Sequence, residues 1–449
     1  MRITEHLPSA LLLLLQTVNA LPYQSAGESN SDALLTKRIV SAVESGNQSS
    51  VLSGLLADKP KKPAPTTEAE LQASLSAIWS SSDTNFYAGV KAQIDSNISI
   101  SGLSADIVGP YTYLGSTSNN NPKDPTTSIY PQKSTSDAPY SISEHDLRSA
   151  IFVPASFTYG QRPPLIFIPG TGTYGGEAFT HNLLKLLNSS PFADPVFLNV
   201  PGALLGDAQT HAEYVAYAIN YISGISSAAN LSIITWSQGG LDAQWAFTFW
   251  PSTRAVVSDF VAVSPDFHGT VLAPALCLSP GKETDFNPCP PAVIQQEYDS
   301  RFVAALRAKG GADAYVPTTT VYSGVFDEIV EPQQGVVASA FLRDGRGVGV
   351  ANVEAQVACL GRPAGSFYGH AGMLFSPLTA ALAVDALSHS GPADLGRIDL
   401  KSVCESYVAP GLTVGDATLT AGQIVTAAVR LLAYQPRLTK EPELRSYAT

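Results

Sequence analysis

Ser237 stands in Thr235-Trp236-Ser237-Gln238-Gly239-Gly240, between two stretches of different rhythm. Upstream, Leu231 to Trp236 is a short apolar run rich in β-branched residues, the pattern of a buried strand. Downstream, Leu241 to Phe247 repeats its apolar positions at helical spacing, and Gly239 and Gly240 remove side chains where that helix begins. A serine on a sharp strand-to-helix turn has its hydroxyl held clear of its neighbours, and the helix amino terminus beneath it favours developing negative charge. The chemistry on offer is nucleophilic attack. The usual pattern carries glycine two residues before the serine, where this chain has Thr235, so the decision falls to other residues.

A serine hydroxyl is a weak nucleophile until a base takes its proton, and the base needs an acid partner to fix its tautomer. With a strand-end serine of this kind, the acid and then the histidine follow in sequence. Three histidines lie downstream: His268, His370 and His389. His268 follows the apolar run Phe260–Val263 too closely to leave room for an acid-bearing strand. His389 ends a helical stretch carrying Leu382, Ala386 and Leu387, which is the place of a solvated cap. His370, in Tyr368-Gly369-His370-Ala371-Gly372, occupies a glycine-flanked loop where an imidazole can turn inward. The acid is expected from the loop after the β-branched run at Val321, where Asp327 is preferred and Glu328 is its rival. The developing oxyanion needs donors. The backbone N–H of Gln238 is one, and Thr171 in Pro169-Gly170-Thr171-Gly172-Thr173 offers an N–H and a hydroxyl. No lysine follows that loop with P-loop spacing, which argues against a phosphate cradle.

These residues need a scaffold, and from Pro164 the chain alternates strand and helix. Strands are expected at Leu165–Ile168, Pro195–Val200, Leu231–Trp236, Phe260–Val263, Thr318–Tyr322 and Val353–Cys359. Helices are expected at Ala208–Ile222, after Ser237, and near Gln295–Arg307. Such alternation predicts an α/β fold with a mostly parallel sheet flanked by helices. A further apolar helix near Ala421–Tyr434 is read either as core packing or as a flap at the pocket mouth. Ahead of this part, Asp32 to about Ser96 has helical periodicity, interrupted by a proline-rich linker at Lys59–Pro65, and Thr67-Glu68-Ala69-Glu70 is a capping box. Residues 114–137 are poor in apolar side chains and are expected to be a long surface loop.

Composition excludes several classes. The formal charge of −12 and the absence of a large basic cluster argue against nucleic acid as partner. Leu11–Leu15 followed by Val18-Asn19-Ala20 is a signal-peptide pattern, too short to span a bilayer, and no later run is long enough for a transmembrane segment. Residues 1–20 are therefore expected to be a signal peptide. The dibasic pair Lys37-Arg38 marks residues 21–38 as a pro-segment, 39–140 is a helical accessory region and loop, and 141–449 is the catalytic domain. The four cysteines fit two disulfides in an oxidising, extracellular compartment, with sequons at Asn47, Asn97, Asn188 and Asn230 in agreement. No metal and no cofactor are expected.

The stretches Pro169–Thr173, Thr235–Leu241, Pro265-Asp266, Gly269–Ala273, Pro317–Thr319, Asp327–Val330 and His370–Gly372 together resemble the Candida antarctica lipase B-like fungal lipases, down to the unusual threonine at 235. The resemblance runs from about Pro164 to Leu444. It implies an α/β-hydrolase that cleaves carboxylic esters without a metal, with Ser237 as nucleophile, Asp327 as acid, His370 as base, and Thr171 and Gln238 as oxyanion donors. It also implies that Trp236 and Thr173 line the alcohol side of the pocket, with Asp266 and Gln296 near the acyl side. Cys359 and Cys404 match one family disulfide; Cys277 and Cys289, in a local insertion where a lid would lie, are expected to pair with each other. Ala178 replaces a pocket serine of the family, and the N-terminal hundred-odd residues have no counterpart there. The expectation is thus a secreted, monomeric lipase or carboxylesterase acting on an ester or lipid, some of it at a lipid–water interface. The rivals are an acyltransferase or thioesterase on the same triad, and a non-catalytic binding protein on a hydrolase scaffold.

Overall fold

The computed structural model describes residues 30–80, 85–100, 109–279 and 286–449; the expected signal peptide at 1–20 and the first part of the expected pro-segment lie outside these residues. Four helices come first: α1 (Asn30–Glu44), α2 (Gln48–Ala57), α3 (Glu68–Trp79) and α4 (Phe86–Asp95). Helix α1 runs unbroken through Lys37-Arg38. The capping box at α3 forms: the Thr67 hydroxyl accepts from the Glu70 N–H, and the Glu70 carboxylate accepts from the Thr67 N–H. The 114–137 segment has no helix or strand beyond one turn at Tyr113–Gly115, and side chains such as Asn121, which donates to the Arg148 and Ile151 carbonyls, pin it down.

Seven strands build one sheet: β1 (Ile151–Phe152), β2 (Pro164–Ile168), β3 (Asp194–Leu198), β4 (Leu231–Trp236), β5 (Val257–Val263), β6 (Thr318–Tyr322) and β7 (Val350–Glu354). Their order is β1-β3-β2-β4-β5-β6-β7, with β1 antiparallel at one edge and the others parallel. Every residue of β2 and β4 is buried, as expected for central strands covered on both faces. One face is covered by α5 (Ala208–Ile225), α6 (Gln238–Phe249) and residues from Phe302 to Leu306. On the other face lie α1–α4 together with helices further along the chain, in one continuous apolar cluster.

Two elements differ from expectation. The helix near Gln295–Arg307 is two helices, α7 (Pro291–Gln295) and α8 (Arg301–Leu306). The break belongs to Ser300, whose hydroxyl donates to the Gln295 carbonyl and caps α8 by accepting from the Val303 N–H. The strand expected at Val353–Cys359 is instead β7, which pairs Val350 to Glu354 against Thr318 to Tyr322 and stops where β6 stops. Residues Ala355–Ala358 then turn as a short helix. Two long helices complete the chain, α9 (Pro377–Ser388) and α10 (Gln423–Ala433), and α2 and α4 pack on α10. Both disulfides form, Cys277–Cys289 and Cys359–Cys404.

Parallel pairing in register aligns the carboxyl ends of the central strands. Ile168 lies beside Thr235, and Trp236 beside Val263, so the loops that follow β2, β4 and β5 emerge side by side. That edge carries the candidate site.

Candidate active site

Ser237 links β4 directly to α6 and adopts φ 55°, a left-handed conformation that costs a non-glycine residue strain. The turn is possible because its neighbours lack side chains. A Cβ on Gly239 would stand 2.4 Å from the Pro169 carbonyl oxygen, and one on Gly170 would stand 2.7 Å from the Ser237 Cβ. A Cβ on Gly240 would likewise stand 2.8 Å from the Pro265 Cβ, and Thr235 pairs with the small Ala262 of β5.

His370 is fully buried and held at every polar atom but one. Its Nδ1 lies 3.0 and 2.9 Å from the two carboxylate oxygens of Asp327. Asp327 is itself oriented by the N–H groups of Ile329 and Val330, which donate to Oδ1 at 3.0 and 2.8 Å. The His370 N–H donates to Glu328 at 2.8 Å, and its carbonyl accepts from Trp236 Nε1 and Ser264 Oγ. Glu328, the rival acid, therefore serves the backbone of the same histidine. Burial alone would push the imidazole pKa down, but the charge and hydrogen bond of Asp327, with Glu328 and Asp266 adding, hold it above the ordinary value. His370 Nε2 has no hydrogen-bond partner among the described residues; it and Ser237 line the same cavity without a hydrogen bond between them. In hydrolase sites a serine–histidine contact commonly tightens only with substrate bound.

Thr171 and Gln238 meet. The Thr171 hydroxyl donates to Gln238 Oε1 at 2.6 Å and lies 3.1 Å from Gln296 Oε1, while Gln296 Nε2 donates to Gln238 Oε1 at 3.0 Å. The Gln238 N–H is in the first turn of α6, where no intrahelical acceptor exists.

The cavity above Ser237 has a mostly apolar wall. Trp236 and Gln296 are on that wall. Thr173 and Asp266 are not: Thr173 is buried with its hydroxyl donating to the Gly170 carbonyl, and Asp266 is buried with neither carboxyl oxygen hydrogen-bonded among the described residues. Burial first, then the Asp327 charge, raise the Asp266 pKa to about 7, with His370 opposing. Helix α10 is both core and wall: Val425 and Val429 are fully buried, whereas Ile424, Ala427, Ala428 and Leu431 face the cavity. Leu276, the residue before the disulfide-closed loop Cys277–Cys289, is on the wall too, and Tyr87 donates to its carbonyl at 2.7 Å.

Sequence reasoning missed Phe86. This first residue of α4 joins the wall from the accessory region, and nothing in its local pattern separates it from an ordinary core aromatic. Of the other histidines, His389 caps α9 half-exposed beside Asp385, and His268 is partly buried with its pKa pushed down to about 4, chiefly by desolvation. Among the described residues no group of His, Cys, Asp or Glu is arranged to hold a metal, and no helix is long and apolar enough to cross a membrane.

A parallel sheet with helices on both faces, a strained serine between strand and helix, and an Asp–His pair on the following loops define the class as an α/β-hydrolase. No protein-family model matches the chain. Over 296 residues it is 33% identical to lipase B of Pseudozyma antarctica, covering 64% of this chain and 79% of that one. It also superposes on the crystal structure of Aspergillus fumigatus lipase B with a TM-score of 0.82 and 41% identity, covering 92% of this chain and all of that one. The chain belongs to the lipase B family and is a lipase-type carboxylic ester hydrolase.

Proposed function

We propose that this protein is a secreted serine hydrolase that cleaves carboxylic esters, triacylglycerols among them, through an acyl-enzyme on Ser237. His370 Nε2 takes the Ser237 proton as Oγ attacks the ester carbonyl. Asp327 holds the imidazole with Nδ1–H toward its carboxylate and stabilises the cation that forms. The oxyanion collects at the Gln238 N–H and at Thr171. Collapse of the tetrahedral intermediate breaks the bond to the alkoxy oxygen, which takes the proton back from His370 and leaves as alcohol. Water, deprotonated by the same imidazole, then attacks the acyl-enzyme and releases the acid.

The observation that carries this reading is the Asp327–His370 pair, at 2.9 Å and buried, whose histidine lines a cavity together with a positive-φ serine. The apolar wall suits an acyl chain. The two disulfides support an oxidising destination, consistent with removal of the signal peptide, and we assign residues 39–140 the role of a cover that completes the cavity.

The test is Ser237→Ala on p-nitrophenyl esters of graded chain length, run above and below substrate solubility. Turnover is expected to fall by about 10⁶-fold. Near-normal turnover, or failure of the wild-type serine to label with a fluorophosphonate, would overturn the reading.

A further inference from the structure

The turn that carries Thr171 is closed by its own last residue. The Thr173 N–H donates to the Gly170 carbonyl at 3.1 Å, and the Thr173 hydroxyl donates to the same oxygen at 2.8 Å. Gly172, at φ 73°, takes the left-handed conformation that such a turn requires of its third residue. Its N–H donates to the Ala203 carbonyl, and its own carbonyl accepts from Arg430. One backbone donor of the turn is left over: the Thr171 N–H has no acceptor among the described residues. The Thr171 hydroxyl has a single proton, which goes to Gln238 Oε1. What the turn holds ready for an oxyanion is therefore the Thr171 N–H.

The Gly170 carbonyl and the Thr171 N–H are the two ends of one peptide unit. That unit is planar and trans, so its C=O and N–H point in opposite directions and neither can tilt without the other. Holding the oxygen on one side aims the N–H out of the other. The unit lies against the nucleophile: a Cβ on Gly170 would stand 2.7 Å from the Ser237 Cβ, and Thr171 lines the same cavity as Ser237 and His370. A second donor on the oxygen also polarises the amide, which makes its N–H a stronger donor. Thr173 itself is fully buried and off the cavity wall, and its hydroxyl goes to a carbonyl that the turn has already satisfied.

We propose that Thr173 is a positioning residue for the oxyanion site: its hydroxyl fixes the plane of the Gly170–Thr171 peptide and so aims the Thr171 N–H at the developing oxyanion. The inference rests on the functional reading above, in which Thr171 is an oxyanion donor. It gives Thr173 a part that needs no contact with substrate. The hydroxyl acts on the transition state, and the wall that meets the substrate is left where it was, so its loss falls on kcat and spares KM.

Thr173→Val keeps the shape but sets a methyl group in place of the hydroxyl. A carbon stands no closer than about 3.3 Å to a carbonyl oxygen, so the peptide is pushed as well as released. For this variant kcat on a soluble p-nitrophenyl ester is expected to drop about tenfold with KM within about twofold, a part of the 10²–10³ that a whole oxyanion donor supplies. Thr173→Ser keeps the hydroxyl and is expected to stay within about threefold of wild type in kcat. The readout specific to the oxyanion is inhibition by an alkylboronic acid, whose adduct on Ser237 is a tetrahedral anion. Its inhibition constant is expected to rise about tenfold in Thr173→Val, in step with kcat, and less than about threefold in Thr173→Ser. A loss of kcat with boronate affinity unchanged, a change in KM in place of kcat, or a Ser variant as slow as the Val variant would each overturn the proposal. If Thr173→Val does not fold, Thr173→Ala removes the same hydroxyl without the methyl contact and is read in the same way. Ser237→Ala run alongside separates the outcomes: if it stays active the functional reading has failed, and if it is inactive while Thr173→Val turns over like wild type the positioning role alone has failed.

Discussion

Glu328 Oε2 accepts the backbone N–H of His370 at 2.8 Å, while its neighbour Asp327 accepts from the ring of the same residue. Two adjacent carboxylates thus place one imidazole from two directions, and both add negative charge beside it. Burial, then the Asp327 charge, raise the Glu328 pKa to about 7.

The charge of Glu328 helps hold the His370 pKa above its ordinary value, and with His370 as the proposed base, working in its neutral form, activity is expected to rise with pH through that pKa. Glu328→Gln keeps the acceptor and removes the charge. The acid limb of kcat/KM is expected to move to lower pH, with the plateau little changed. Asp327→Asn, by contrast, is expected to lose about 10⁴ in kcat, because the tautomer itself is lost. A pH–rate profile of each variant checks both statements.

Asp266 makes a prediction about stability. Its folded pKa of about 7 lies above the usual carboxylate value, so between roughly pH 4 and pH 7 the folded state holds a proton that the unfolded chain has released. The group therefore lowers stability as pH rises through that window, and its penalty levels off above pH 7. Asp266→Asn removes the titration. Its thermal midpoint relative to wild type is expected to rise from pH 4 to pH 7 and then stay constant, as followed by calorimetry.

Arg430 and Glu177 form an ion pair at 2.8 Å with both side chains fully buried, and Arg430 also donates to the Gly172 and Gly109 carbonyls. Removing one partner strands the other charge. Arg430→Met is expected to cost about 3–5 kcal/mol of unfolding free energy. Adding Glu177→Gln, which keeps an acceptor for the Tyr111 N–H, is expected to return about half of that loss. Urea unfolding of the single and double variants measures it.

Phe86 lines the cavity from the accessory region, so removing its ring would widen the space open to an acyl chain there. Phe86→Ala is expected to raise the ratio of kcat/KM on palmitate to that on butyrate esters by about tenfold. An unchanged ratio would mean that the ring is wall without being part of the binding surface.

The α/β alternation was legible because its signals are local. β2 and β4 are apolar at every position or nearly so, and α3 announces its start with Thr67 and Glu70. Element ends were less legible. β7 stops at Glu354 because its partner strand stops, and the helix expected across Gln295–Arg307 breaks because one serine bonds in both directions. Neither cause is visible along a single stretch of chain.

Residue order alone placed Ser237, Asp327 and His370 on loops of an α/β alternation, since a strand end and its following turn are written in adjacent residues. It favoured Asp327 over Glu328 as the acid and had no means of finding Phe86 on the cavity wall or His211 and Asp242 beside Gln238. Tertiary structure placed those three. Parallel register brought the ends of β2, β4 and β5 to one edge; packing against α10 carried α4 to the cavity; and α5 crossing beside α6 placed a buried imidazole within reach of Gln238. Proximity between distant segments comes from the burial of shared apolar surface, and that is a property of the folded whole that no local pattern encodes.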